Sequence, residues 1–588
     1  MATRLCTSLL IAITLLASDA VGAEKSCPNV ILIMTDDQGY GDLSCHGNPI
    51  LKTPHLDKLH AESIRLTDFH VDPFCTPTRA ALMTGRYSSS TGAYRTSSGR
   101  TMLHTDEVTM AEVFRQNGYA TGIFGKWHLG DNYPHRPQDR GFTYTLWHRC
   151  GGVGQASDFW GNDYFDDTYE HNGKLEKFSG YCTDVWFAGA KKFIEQSVKA
   201  DKPFFCYIPT NAPHGPYFVD KKYSDPYRDK ADWGSGPAFY GMIANIDENV
   251  GKLRAWLKER GLADNTLLIF MTDNGTAAGA SFAPHPLDGL PTKGFNAGMR
   301  GKKSSVYDGG HRVPCFIHWP AGGLTGGRDV SQLTAHIDLL PTLIDVCGLR
   351  PVEGVKMHGQ SLKPLLRGKA KDWPDRKLIL QFQGGAHFRH APQPWTDSVV
   401  MTQRWRLMDG QRLYDIKADP TQSRDVAMNH PDVVKELRAA YEPWWPQVKP
   451  RIDEPVRIGL GAEAENPATL CSQDWHMPTG NPPWHPGAIN RLPKETGPWY
   501  VNVTRAGRYA ITLRQKPAHV AFPLVAKTAR LTIANIDETK AVPKGATGVT
   551  FNVTLPEGPT LLTTYLTDEK GQVGGAYFAD VEFIGKDE

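Results

Sequence analysis

Four short stretches of the chain are apolar with almost no polar interruption: Asn29–Met34 (NVILIM), Tyr119–Phe124 (YATGIF), Phe204–Ile208 (FFCYI) and Leu267–Met271 (LLIFM). Runs of this length without alternation suit strands covered on both faces of a parallel sheet. Each run gives way at its C-terminal end to polar residues: Thr35-Asp36-Asp37-Gln38-Gly39, Gly125–Gly130 (GKWHLG), Asn211–Tyr217 (NAPHGPY) and Thr272–Gly275 (TDNG). Cys315–Trp319 reads as a further strand. Helical signals lie between them. Thr53-Pro54 opens a helix carrying Leu56, Leu59 and Ile64, and Thr109–Glu112 forms a capping box closed by Gly118. Ile243, Ile246, Val250, Leu253 and Leu257 line one helical face, and Leu339–Val346 is a helix ending at Gly348. The alternation predicts an α/β fold, a large mostly parallel central sheet flanked by helices, over residues 24–369.

The pattern then changes twice. Residues 370–450 predict a small C-terminal α+β subdomain, with an antiparallel sheet from Lys377–Phe382, Ser398–Met401, Trp405–Met408 and Leu413–Ile416, and a helix over Pro431–Tyr441. Residues 451–500 are rich in Pro, Trp and Gly and read as an irregular linker. Over 501–588 the period becomes two (Tyr509, Ile511, Leu513; Val549, Phe551, Val553, Leu555; Tyr577, Ala579, Val581, Phe583), with turn residues between runs. An added all-β sandwich domain follows from this. Trp475, Trp484 and Trp499 are open to two readings, a glycan-stacking surface or packing positions.

Formal net charge is +2 and 22% of residues are charged, so no basic field points to nucleic acid. Arg4, the apolar core Leu9–Leu16 and the small residues Val21-Gly22-Ala23 form a signal-peptide pattern over 1–23 and predict an exported protein, secreted or periplasmic. No later run approaches the roughly 18 apolar residues of a membrane span. Ten cysteines allow disulfides in an exported chain, but no zinc-type C-x-x-C pair occurs.

Candidate chemistry centres on Cys75–Arg86 (CTPTRAALMTGR). Pro77 fits the first turn of a helix and Gly85 its end, which puts Cys75 at a helix N-terminus, where unpaired N–H groups favour anions. Arg79 lies one turn on, facing the same way. Asp36, Asp37, Asp273 and Asn274 close two buried strands in the same T-D-[D/N] pattern. Four such oxygen-bearing side chains suit a hard cation, calcium more than zinc. Residues 150–180, rich in Gly, Asp, Tyr and Asn, read as an insertion on the ligand side that shapes specificity.

The C-x-P-x-R…T-G-R stretch, together with GKWHLG and the Asp308-Gly309-Gly310 turn, resembles the type I, formylglycine-dependent sulfatases of the alkaline phosphatase superfamily, in particular arylsulfatases. Thr76 and Thr78 stand where the family usually has Ser or Ala, and Ser. The resemblance implies that a formylglycine-generating enzyme oxidises Cys75, whose hydrated aldehyde then attacks sulfur. It implies one Ca2+ per chain, with Mg2+ the lesser candidate, held by Asp36, Asp37, Asp273, Asn274 and an oxygen of residue 75. Arg79, Lys126 and Lys303 would neutralise sulfate, His128 would serve the formylglycine hydroxyl and His214 the leaving group. Lys303 is six residues before Gly309, as the family requires; Lys302 is its neighbour and rival. The expected substrate is a sulfate ester, of a carbohydrate or a small aryl alcohol. The alternatives are a phosphonate monoester or phosphodiester hydrolase of the same superfamily, or a non-catalytic glycan-binding protein. Substrate linkage and oligomeric state stay open at this point.

Overall fold

The computed structural model describes residues 27–282, 288–370, 372–385 and 388–586; the signal-peptide pattern lies outside the described residues. The principal strands of the first domain are β1 (Asn29–Thr35), β2 (Ala120–Lys126), β3 (Tyr144–His148), β4 (Phe204–Pro209), β5 (Thr266–Thr272) and β6 (Cys315–His318). They run across the sheet as β6-β5-β1-β4-β2-β3. The five strands from β5 to β3 are parallel, and β6 joins β5 antiparallel. Two short strands extend each edge to make ten.

Each face of β1 buries a different core. Val30, Leu32 and Met34 pack with Ala80, Leu82 and Met83 of α1 (Cys75–Thr84). Ile31 and Ile33 pack with Trp186, Phe193 and Ile194 of α2 (Cys182–Lys199) and with Met242, Ile246 and Val250 of α3 (Gly236–Glu259). This two-sided cover is why β1 carries no polar alternation. Removing any one such aliphatic side chain from water is worth about 1.5–3 kcal/mol. The register sets the site: Thr35 of β1 lies opposite Thr272 of β5, so the acidic residues that follow each strand emerge side by side. All ten residues of α1 are buried, and Gly85 ends it in the left-handed region (φ 66°) with its N–H on Ala81 O at 2.9 Å.

In the second region Leu378–Gln381, Ser398–Met401, Trp405–Met408 and Arg412–Asp415 form a four-stranded antiparallel sheet, followed by a helix over Pro431–Tyr441. Residues 451–500 depart from the expectation of an irregular linker. A helix over Trp445–Asp453 enters the stretch. Ile458–Leu460 then pairs with Trp499–Val503, and Ala468–Cys471 with Phe578–Gly585, so both sheets of the sandwich recruit strands from it. Strands of three and four residues among prolines and glycines are too short for a period of two to show. Trp475 and Trp499 are fully buried in the sandwich core, 5.7 Å apart edge to face, and the Trp499 indole N–H donates to Cys471 O at 2.8 Å. Neither forms a glycan-stacking surface; only Trp484 remains partly exposed.

The sandwich is bound to the first domain through buried polar contacts. Ser98 N–H donates to Gln473 O (2.7 Å), the Gln473 side-chain amide donates to Asp131 (3.0 Å), and Tyr133 N–H donates to Glu465 (2.7 Å). Burial, reinforced by Asp131, pushes the Asp474 carboxyl up to about 8. A carboxyl that is neutral when folded and ionised when unfolded (about 3.9) makes unfolding release a proton between those values. Its contribution to stability is therefore present at low pH and lost as pH rises from about 4 towards 8. Asp474→Asn should flatten this dependence. Between pH 5 and pH 8 the variant's Tm should fall less than the wild-type Tm, by a few °C in a scanning fluorimetry series. Identical slopes would show that Asp474 titrates normally.

Candidate active site

The C-terminal ends of β1, β5, β2 and β4 open onto one cleft, the position at which parallel α/β sheets bind ligands. Asp36 and Asp37 follow β1, Asp273 and Asn274 follow β5, Lys126 ends β2 with His128 two residues on, and His214 follows β4 by way of Asn211. The N-terminus of α1 enters from the side and presents Cys75.

These residues contact one another directly. Lys126 Nζ lies 2.6 Å from Asp36 Oδ2, both fully buried. Arg79 donates to Asp273 Oδ2 at 2.8 Å and to Lys126 O at 2.9 Å. Asp37 N–H donates to Asp273 Oδ1 (2.9 Å), and the Asn274 amide donates to Asp37 Oδ1 (2.9 Å). Lys303 Nζ reaches Asp37 Oδ2 at 2.8 Å, whereas Lys302 Nζ lies over the Phe282 ring at 5.4 Å; of the two lysines, Lys303 joins the cluster. His214 Nε2 is 3.8 Å from Asp37 Oδ2.

Oxygens of Asp36, Asp37 and Asp273 lie within 4.8 Å of one another, all buried. Asp36 Oδ1 and Asn274 Oδ1 are buried and lack a hydrogen-bond partner among the described residues. Burial, then the neighbouring Asp273, pushes the Asp36 carboxyl well above the usual range. Burial pushes Asp37 the same way, but Lys303, His214 and the Asn274 amide outweigh it and hold Asp37 low. Crowded buried acids that offer only oxygen donors fit a hard cation such as Ca2+.

Cys75 Sγ lies 3.4 Å from His128 Nδ1, and His128 Nε2 lies 3.4 Å from Thr96 O. A carbonyl can only accept, so Nε2 carries the proton and Nδ1 turns its lone pair towards residue 75. Burial, then Lys126 and Arg79, holds His128 well below the ordinary histidine range. Burial also raises the Cys75 thiol above its ordinary value. His214 is pressed down to about 3 by burial and then by Lys303.

The backbone is strained where the cluster forms. Asp37 (φ 70°), His128 (φ 56°), Cys150 (φ 61°) and Ser304 (φ 74°) are non-glycine residues in the left-handed region, which surrounding structure must enforce. Two glycines permit close approach. A Cβ on Gly275 would sit 1.9 Å from Gly309 O, so the TDNG and DGG turns can cross only without one. A Cβ on Gly151 would sit 2.6 Å from His128 Cε1.

The cleft encloses about 330 Å³. Cys75, His128, His214 and Lys303 line one part of it. Gln155, Phe388, Asn481 and Trp484 also line it and were not singled out as site residues from sequence, apart from Trp484's ambiguous reading. Gln155 falls in the insertion read as specificity-shaping; the others come from distant segments that no local motif marks.

The sulfatase family model matches residues 28–349, and a model described as N-sulphoglucosamine sulphohydrolase, C-terminal, matches 300–442. The chain therefore belongs to the sulfatase family. It is a sulfuric ester hydrolase. Among its relatives, arylsulfatase A of Homo sapiens is 31% identical over 507 residues, covering 77% of this chain and 94% of that protein. N-acetylgalactosamine-6-sulfatase of Homo sapiens is 29% identical over 415 residues, covering 63% of this chain and 72% of that one. Of solved structures, Ps i-CgsB in complex with k-i-k-neocarrahexaose is 27% identical with a TM-score of 0.62, covering 71% of this chain and 92% of that one. Phosphonate monoester hydrolase of Agrobacterium radiobacter, 22% identical with a TM-score of 0.50 over 72% and 96% of the two chains, shares the fold.

Proposed function

We propose that the protein is an exported sulfatase that removes sulfate from a sulfated carbohydrate, with formylglycine at position 75 and one bound Ca2+. The observation that carries this reading is the placement of Cys75 at the α1 N-terminus, within reach of His128 and beside the Asp36–Asp37–Asp273 cluster. A buried, protonated thiol is a poor nucleophile, which suits a residue destined for oxidation rather than direct attack.

Asp36, Asp37, Asp273 and Asn274 would hold the cation, which supplies a Lewis acid and a template for the sulfate oxygens. A formylglycine hydrate supplies one hydroxyl to attack sulfur and a second through which the aldehyde re-forms. The chain's own residues do the rest. Lys126 and Lys303, held on Asp36 and Asp37 and close enough to act on the charge of residue 75, would neutralise the sulfate group. Arg79 holds Asp273 in position and ties it to the β2 carbonyl at Lys126. Neutral His128, its lone pair aimed at residue 75, accepts a proton there. His214, on the cleft wall, is held neutral in the free site; an arriving anionic ester favours its protonated form and readies it to protonate the departing alcohol. Export is supported by the N-terminal pattern. A carbohydrate substrate is supported by the likeness to N-acetylgalactosamine-6-sulfatase and to Ps i-CgsB, solved in complex with k-i-k-neocarrahexaose.

The test joins two measurements on protein from its own host. The peptide carrying Cys75 should have the mass of the formylglycine form, and kcat/KM for 4-nitrophenyl sulfate should exceed that for 4-nitrophenyl phenylphosphonate by at least about 100-fold. Unconverted cysteine with no sulfate ester turnover, or a preference for the phosphonate, would overturn the reading.

A further inference from the structure

The two family-model matches end at residues 349 and 442, yet the cleft does not. Asn481 and Trp484, from the segment that joins Ala468–Cys471 to Trp499–Val503 in the sandwich, line the same cavity as Cys75 and His214. We propose that this segment is a sugar-binding subsite: Trp484 stacks on the pyranose ring of a sulfated sugar while Asn481 and Gln155 donate to its hydroxyls. The proposal rests on the sulfatase reading above and names the substrate class of that site.

Both amides are oriented for the task. Asn481 Oδ1 accepts from Ser97 Oγ at 2.9 Å, and Gln155 Oε1 accepts from Gly151 N–H at 3.1 Å. With each oxygen engaged, each NH2 group is left to donate, and a sugar hydroxyl can accept. Trp484 is partly exposed, and its indole packs edge-on against the His485 ring at 4.6 Å. Trp475 and Trp499 fill the sandwich core instead, so Trp484 is the tryptophan of this segment available to a ligand. An aromatic plane beside a few fixed polar donors is what a ring with one apolar face and several hydroxyls requires.

The segment is also held firmly. Ala156 N–H donates to Trp484 O (3.0 Å), Gly480 N–H to Phe388 O (3.0 Å) and Ser472 Oγ to Pro483 O (2.5 Å). Cys150 contacts Gln473, and the Phe159 and His519 rings stack at 4.3 Å where the insertion meets the sandwich. A wall so fixed loses little freedom on binding. A cavity of 330 Å³ is at the small end for ligand clefts, about 300–1,000 Å³, and suits one sulfated sugar ring at the end of a chain.

The experiment screens the holoenzyme against 2-, 3-, 4- and 6-O-monosulfates of galactose, glucose and their N-acetylated amino sugars, with 4-nitrophenyl sulfate as a sugar-free ester. On the monosulfate turned over best, Trp484→Ala and Asn481→Ala should each raise KM about tenfold, with kcat changed less than about threefold. Trp484→Phe should recover most of the loss. The inhibition constant of inorganic sulfate, which reports only the charged floor, should stay within about twofold. Should Trp484→Ala fail to fold, Trp484→Phe and Asn481→Ala carry the test alone. An unchanged KM, or an equal loss of sugar turnover and inorganic sulfate binding, would overturn the subsite. Turnover of 4-nitrophenyl sulfate but of no sugar monosulfate would overturn the sugar class while leaving the sulfatase reading intact. Turnover of neither would bring down the sulfatase reading itself.

Discussion

Cys75→Ala is expected to lower kcat for any sulfate ester by about 10⁴-fold or more while leaving Tm within about 2 °C of wild type. The side chain sits at the first residue of α1, buried, with its sulfur against His128. Alanine keeps the helix start and loses only one small buried atom, so the stability cost is at most about 1 kcal/mol. Loss of a covalent nucleophile, by contrast, removes a step that no neighbour can perform. His128 can accept a proton and Lys303 can neutralise charge, but neither is placed to attack sulfur and later regenerate itself. Cation content should be unchanged, because Asp36, Asp37, Asp273 and Asn274 keep their mutual contacts. The check is steady-state kinetics with metal analysis on the same preparation. Turnover surviving within about tenfold of wild type would remove residue 75 from the covalent role and leave a hydrolysis driven by the cation and a bound water.

How much of this was legible in the sequence depended on whether a signal was local. The buried strands announced themselves because β1, β4 and β5 are covered on both sides and so carry no polar alternation. Their C-terminal residues could be paired in advance because Asp36 and Asp273 close similar patterns, and the register of Thr35 against Thr272 is the reason the two ends meet. Lys302 and Lys303 could not be told apart from the sequence of their loop: the structure puts Lys303 on Asp37 and Lys302 over the Phe282 ring, while both line the cleft. Cleft walls were the least legible. Phe388 and Asn481 reach the site through contacts between segments distant in sequence, and nothing in their own surroundings marks them. The same is true of the linker. Ile458–Leu460 and Ala468–Cys471 become strands only because the sandwich offers them an edge, a tertiary override of local composition.

Stripping divalent cations should have the second largest effect. Dialysis against a chelator is expected to reduce activity to background and lower Tm by several °C, with Ca2+ restoring both and Mg2+ restoring less. Three buried carboxylates converge within 4.8 Å, and Asp36 Oδ1 and Asn274 Oδ1 have no hydrogen-bond partner among the described residues. A cation that binds only the folded chain adds about 2.7 kcal/mol at a free concentration 100 times its Kd, which in a chain of this size is a few °C. Mg2+ prefers a smaller octahedral shell with retained waters and is less suited to crowded carboxylates. Asn274→Ala removes the oxygen proposed to complete the cation's shell without altering charge, and should raise the Ca2+ concentration for half-activation about tenfold. The charge balance explains why activity falls further than stability. Asp36, Asp37 and Asp273 are set against Arg79, Lys126 and Lys303, so without the cation the cluster holds no more than the single positive charge left over when Asp36 is protonated. With Ca2+ bound it carries two. Inorganic sulfate should therefore bind the loaded enzyme far more tightly than the stripped one, a difference that equilibrium dialysis with labelled sulfate reads directly. Equal binding to both forms would mean that the lysines and Arg79 capture sulfate by themselves and that the cation serves only to hold the carboxylates together.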